Sequence, residues 1–155
     1  MIFKQRVRDC FIQNWKEQIN NSTRANTYKL FADFNFQLYL DTINIQKYRI
    51  ALTKLRVSSH RLEIEVGRWH KPQPIDVNDR KCTFCHRLED EYHFLLECPL
   101  YDNLRSTYIK PYFWKRANIV KFAELLSSTN GTTIKNMSIY VFKSFNQRNK
   151  SLQPM

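Results

Sequence analysis

The chain has 155 residues, 43% of them apolar and 14% aromatic, which is enough core-forming material for one folded domain and too much for a disordered tail. Its two glycines, Gly67 and Gly131, disfavour turn-rich β folds and phosphate-cradling glycine loops alike, and no apolar run approaches the ~18 residues of a membrane span. The net charge of +11 is uneven: residues 1–81 hold 15 Lys/Arg against 8 Asp/Glu, residues 82–100 hold 1 against 4, and residues 101–155 hold 9 against 2. Two basic blocks therefore flank a short acidic one, a field that attracts polyanions, of which nucleic acid is the commonest. The plainer reading of the same charge is a soluble basic surface. The N-terminus lacks the continuous apolar stretch of a secretory signal, so the chain is expected to be intracellular, in nucleus or cytoplasm. Grouped cysteines in such a reducing compartment bind metal more often than they form disulfides.

Taken in chain order, Phe3, Val7, Phe11, Trp15 and Ile19 fall at i+4 steps and predict a first helix with one apolar stripe, Cys10 buried beside it. Tyr28 to Leu40 also has helical spacing, though its aromatics leave a strand open over part of it. Asp41 or Thr42 would cap a third helix with Ile45, Tyr48, Leu52 and Leu55 inward. Ser58 or Ser59 would cap a short helix through Leu62 and Val66, ended by Gly67 in a left-handed conformation. Lys71-Pro72-Gln73-Pro74 is an extended connector. Pro99 opens a helix towards Ile109 that Pro111 stops, and Asn118 to Leu126 is a further helix. Thr132 or Thr133 caps a last one, with Met137, Tyr140, Val141 and Phe145 on one side and Lys143, Arg148 and Lys150 at a solvated end. The expected class is mainly α. It is one small helical domain in three stretches: N-terminal helices over 1–47, a zinc-binding lobe with its preceding helix over 48–105, and C-terminal helices over 106–155.

Cys82, Cys85, His93 and Cys98 follow the spacing C-x2-C-x7-H-x4-C. Two cysteines three apart converge on one ion from a tight loop, and zinc prefers such thiolate and imidazole donors in a closed tetrahedron. His93 and Cys98 sit five apart on what should be a helix, and can meet one ion if the last turn loosens at Cys98-Pro99. Four protein donors leave no open position, so a single structural Zn2+ is expected and no catalysis. Other readings of these cysteines are a redox CxxC, and a c-type haem attachment run at Cys82-Thr83-Phe84-Cys85-His86. Both leave His93 and Cys98 without a role. His86 is read as a solvent-facing residue or an outer neighbour of the ligands rather than a ligand. Glu89, Asp90 and Glu91 are read as helix-opening acids that favour the macrodipole.

Around this cluster stand Leu52-Thr53-Lys54-Leu55-Arg56-Val57-Ser58-Ser59-His60, Leu62-Glu63-Ile64-Glu65-Val66-Gly67-Arg68-Trp69, Arg80-Lys81-Cys82-Thr83-Phe84-Cys85, and Glu89-Asp90-Glu91-Tyr92-His93-Phe94-Leu95-Leu96-Glu97-Cys98-Pro99-Leu100-Tyr101 with Leu104-Arg105. Residues 48–105 thereby resemble the zinc-binding segment that follows the reverse transcriptase of non-LTR (LINE-type) retrotransposons, and all four ligands match. The resemblance implies a nucleic-acid role beside a polymerase, on element RNA or target DNA, and no catalysis in this chain. Phe31-Ala32-Asp33-Phe34 echoes a polymerase motif but has Phe34 where a second aspartate belongs, and paired aspartates are what two-metal chemistry needs. Met1 suggests a freestanding piece: a degenerate copy, a domesticated remnant or an excised fragment.

The residues expected on a phosphate track are Lys54, Arg56, His60, Arg61, Arg68, Lys81 and Arg105, with Trp69 and Phe84 as stacking platforms or, alternatively, core. Arg56 and Arg68 have a second reading as buried partners of Glu63 or Glu65. The expected partner is RNA or DNA, with a reverse transcriptase or another protein beside it, and neither a membrane nor a small-molecule substrate. The alternative function is a zinc-braced protein-interaction module, suggested by the aromatics Phe11, Trp15, Trp114 and Phe122.

Overall fold

The computed structural model describes residues 2–152 and is 66% helical, with no β-strand among the described residues. The mainly-α class expected from the periodicity is what forms. In chain order come α1 (Ile2–Asn21), α2 (Asn26–Lys29), α3 (Tyr39–Thr42), α4 (Gln46–Arg56) and α5 (Glu63–Val66). After them come α6 (Asp102–Tyr108), α7 (Pro111–Trp114), α8 (Ile119–Leu126) and α9 (Gly131–Ser151). Between α5 and α6 lie three 3-10 turns (Gly67–Trp69, Val77–Asp79, Pro99–Tyr101) and one π turn (His93–Glu97). No described helix is long and apolar enough to cross a membrane.

The last helix organises the core. Ile134, Met137, Tyr140 and Val141 recur at three- and four-residue steps along α9 and are fully buried, facing Leu52 and Leu55 of α4. Phe94, Leu95 and Tyr101, from the cysteine segment, fill the space beside them, and α8 adds Phe122, Leu125 and Leu126. Each such side chain contributes about 1.5–3 kcal/mol through burial. Two asparagines open these helices: Asn118 Oδ1 accepts from Lys121 N–H and Asn130 Oδ1 from Thr133 N–H, both at 2.9 Å. The cap of α9 is thus Asn130, not Thr132 or Thr133.

Other expectations are corrected. The stretch Tyr28–Leu40 is not one helix; it breaks into α2, an irregular run and α3. Its aromatics wrap a cation instead, because the Arg56 guanidinium lies 4.3 Å from the Phe31 ring and 4.8 Å from the Tyr39 ring. The helix α1 forms with its stripe, but no residue of it is buried: Phe3 is 78% and Phe11 62% exposed, and Cys10 is exposed rather than packed. Gly67 is right-handed, with φ −59°. Its missing side chain serves close approach, since a Cβ there would lie 2.7 Å from Arg80 Cγ. The left-handed residue is Ser58, φ 52°, which ends α4 instead of opening α5. Ser59 N–H donates to Lys54 O (2.8 Å) and Ser58 N–H to Leu55 O (3.3 Å), a Schellman ending in which Ser58 takes the usual glycine position. Pro111, finally, starts α7 as well as ending what precedes it.

Candidate functional site

The first two cysteines lie on a tight knuckle. An isolated bridge pairs Lys81 with Leu88, Cys82 N–H donates to Arg87 O (2.7 Å), and His86 N–H returns to Cys82 O (2.9 Å) with His86 at φ 59°. This turns Cys82 and Cys85 to the same side. The second pair depends on the π turn. Residues five apart on an α-helix point about 140° away from each other. Here Cys98 N–H bonds to His93 O, five residues back, at 2.8 Å, and the wider turn brings the two side chains to one side. The expected loosening at Cys98 is real and extends over the whole turn.

Widening a turn redirects carbonyls, and side chains from outside receive them. Tyr140 Oη donates to Phe94 O (2.8 Å); Arg105 donates through Nε to Leu95 O (3.0 Å) and through a terminal nitrogen to Cys98 O (2.7 Å). The Asp90 carboxylate accepts His93 N–H at 2.8 Å, although burial raises its pKa above the usual carboxylate range.

The four ligand atoms all lie within 4.8 Å of one another. Cys82 Sγ and Cys98 Sγ are 3.9 Å apart, against an edge of about 3.8 Å for a tetrahedron with metal–sulfur bonds of about 2.3 Å. Cys85 Sγ is 3.2 Å from His93 Nε2. Burial pushes the Cys98 thiol up to about 12, raises Cys82, and lowers His93. A buried cation is what would hold two such thiols as thiolates. His93 Nδ1 is buried without a hydrogen-bond partner, 3.8 Å from Glu97 Oε2, and Arg87 holds that carboxylate at 2.9 Å. The donor set and this outer carboxylate fit one structural metal ion.

The residues expected on a phosphate track divide by burial. Arg56 is buried and donates to Gln37 Oε1 (2.7 Å) and to Leu126 O, so it serves the fold; its partner is neither Glu63 nor Glu65. Arg105 is 2% exposed and braces the π turn, so it too is withdrawn. The His60 side chain is 1% exposed: Nδ1 accepts Leu62 N–H (3.3 Å), and Nε2 donates to Glu91 Oε1 (2.8 Å). Arg68 pairs with Glu65 Oε1 (3.1 Å) and donates to Thr23 O (2.8 Å), the second of its two readings. Lys54, Arg61 and Lys81 are exposed, as are Trp69 (67%) and Phe84 (54%). The acidic trio does open the helical run, with Asp90 accepting His93 N–H, but Glu89 and Glu91 are buried in pairs of their own. Glu89 accepts two bonds from Arg148 (2.8 and 2.6 Å), and Arg148 is therefore buried rather than at a solvated end. Burial alone would raise the Glu91 carboxyl, but hydrogen bonds from His60 and Ser58 hold it below its usual range.

Lys54 and Arg61 open onto a groove of about 850 Å3 formed by α4, α5 with the turn after it, and α9. Arg24 and Lys47 join them, with Ile50, Val66, Phe142 and Phe145 as apolar lining and Trp69 on its wall. Lys81 lies outside this groove. Lys47 was legible in the sequence, since it stands seven residues before Lys54 on one helix face. Arg24 lies in a loop more than forty residues from Trp69 and gave no signal. Comparison of the chain with protein families, with curated proteins and with solved structures finds no match.

Proposed function

We propose that this chain is a non-catalytic nucleic-acid-binding module braced by one zinc ion, as its resemblance to the segment after a non-LTR reverse transcriptase implies. Three thiols and an imidazole are the soft donors zinc prefers over oxygen-seeking cations, and four protein donors leave no position for a reacting water. Of the two histidines that line the groove, His60 has both ring nitrogens engaged and is no general base.

The observation that carries the binding reading is the groove. Lys47, Lys54 and Arg61 line it beside an apolar floor and an exposed tryptophan, the combination that grips phosphates and stacks bases. Filter binding of a single-stranded RNA and of a single-stranded DNA over a salt series tests it. The expected result is a log–log slope of about −2 to −3, for three or four phosphates held, reduced in a Lys54→Ala/Arg61→Ala variant. No affinity at low salt, or affinity indifferent to salt, overturns it.

A second reading, protein docking, is favoured by one observation: Ile2, Phe3, Val7 and Phe11 of α1 are all more than half exposed. Of the aromatics that first suggested it, Phe122 is buried in the chain's own core and Trp114 is half-buried, donating to Ile109 O (3.0 Å).

A further inference from the structure

One carboxylate in the groove wall is incompletely bonded. The Glu65 side chain is only 6% exposed; its Oε1 accepts from Arg68, while its Oε2 is buried and accepts no hydrogen bond. The nearest cation to Oε2 is Arg24, whose Nε stands 3.6 Å away. A buried charged acceptor left unbonded is costly, so its retention calls for a donor. The same Arg24 guanidinium centre lies 5.5 Å from the centre of the Trp69 ring. A planar group with N–H donors on its edge therefore sits between an exposed aromatic face and a carboxylate. Arg24 is itself 56% exposed and sits in the loop that Arg68 ties down through Thr23 O.

We infer that the recess between Trp69 and Glu65 is a guanine-selective base subsite, in which guanine takes the place Arg24 now holds. This rests on the reading of the groove as a nucleic-acid site and sharpens it. Guanine is the base whose pairing edge carries two adjacent donors, N1–H and the N2 amino group, joined through one carbon as in a guanidinium. Stacked on Trp69, that edge faces Glu65 Oε2. Cytosine and adenine present a donor beside a ring-nitrogen acceptor that the carboxylate repels, and thymine and uracil flank their one donor with two carbonyls. Lys54 and Arg61 along the groove would take the flanking phosphates. The subsite needs an unpaired base, because in a duplex this edge is already occupied.

Fluorescence anisotropy with labelled deoxythymidine oligomers carrying one central dT, dG, dA or dC tests the assignment. The wild type is expected to bind the guanine strand about tenfold more tightly than the other three. Glu65→Gln is expected to erase that preference by bringing the guanine strand to the affinity of the other three. Arg24→Ala, at a side chain 56% exposed, is expected to widen the preference by removing the competing guanidinium, at some loss of affinity for every strand. Equal affinity for all four strands, or a guanine preference that survives in folded Glu65→Gln, overturns the subsite and leaves the groove reading standing. Failure to bind any strand overturns both.

Discussion

Burial sorts the arginines of this chain into two opposite roles. Arg56, Arg80, Arg105 and Arg148 are each no more than 6% exposed, and each donates to two or more backbone or side-chain oxygens. The planar fork makes this possible, since one guanidinium can satisfy two or three acceptors in fixed directions. A charge count treats these residues and exposed Arg61 alike, so the sequence could name the basic positions without saying which are spent inside. That is why Arg56 and Arg105 looked like phosphate ligands. Only for Arg56 and Arg68 did nearby acids hint at another role, and for Arg56 the hint pointed to the wrong partner. Replacing Arg105 separates the two roles. Arg105→Ala strands Leu95 O and Cys98 O inside the core and should cost about 3–5 kcal/mol in urea unfolding. Arg105→Lys should recover only part of that, because an ammonium cannot reach both carbonyls in plane. A loss below about 1 kcal/mol, or a weaker affinity for nucleic acid in variants still folded, would return Arg105 to the surface.

At the scale of elements, apolar periodicity predicts burial where a helix has a partner and not where it has none. The α9 stripe is buried against α4 and the cysteine segment. The α1 stripe obeys the same period, yet no residue of it is buried: Phe34 is the ring that meets it, at 5.8 Å from Phe11 and 5.2 Å from Trp15, while Phe3 stays 78% exposed. Period states that a face exists, and only the fold states what meets it. The interval of five between His93 and Cys98 was informative in another way: no ideal helix brings those positions together, so the ligand pattern itself demanded a distorted turn. If the α1 face serves a partner protein, it contributes little to this chain's own stability. Phe3→Ser with Val7→Ser should therefore leave the thermal midpoint within about 2–4 °C of wild type, the shift that about 1 kcal/mol produces, because Ser, Phe and Val have nearly equal helix propensities. The pair should also remove most of the protein's binding of an apolar fluorescent dye. A midpoint lowered well beyond this would mean the face is already packed in solution, and protein docking would lose its surface.

For the molecule as a whole, the metal cluster and the groove were unequally legible. Four ligand residues within seventeen announce themselves by spacing, whereas the groove joins Lys47 and Lys54 of α4 to Arg61 and Trp69 beyond that helix and, through the packing of α9 on α4, to Phe142. The two are nonetheless mechanically linked. His93 and Cys98 bracket Phe94, Leu95 and Leu96, all buried, while Glu89 and Glu91 on the same segment hold Arg148 of α9 and His60 on the groove floor. Loss of the ion should thus loosen the core and the groove together rather than fray one loop. A structural zinc ion supplies about 10–16 kcal/mol in small zinc-dependent peptides. Each kcal/mol lost from a chain of this size lowers the thermal midpoint by about 2–4 °C. If the helical core outside the segment compensates for two thirds of the ion's contribution, complete chelation still lowers the midpoint by about 10 °C. Circular dichroism with and without chelator reads that shift, and zinc added back should reverse it. An unchanged midpoint after verified metal removal would mean that the four side chains hold no structural ion, and the groove would have to owe its shape to the helices alone.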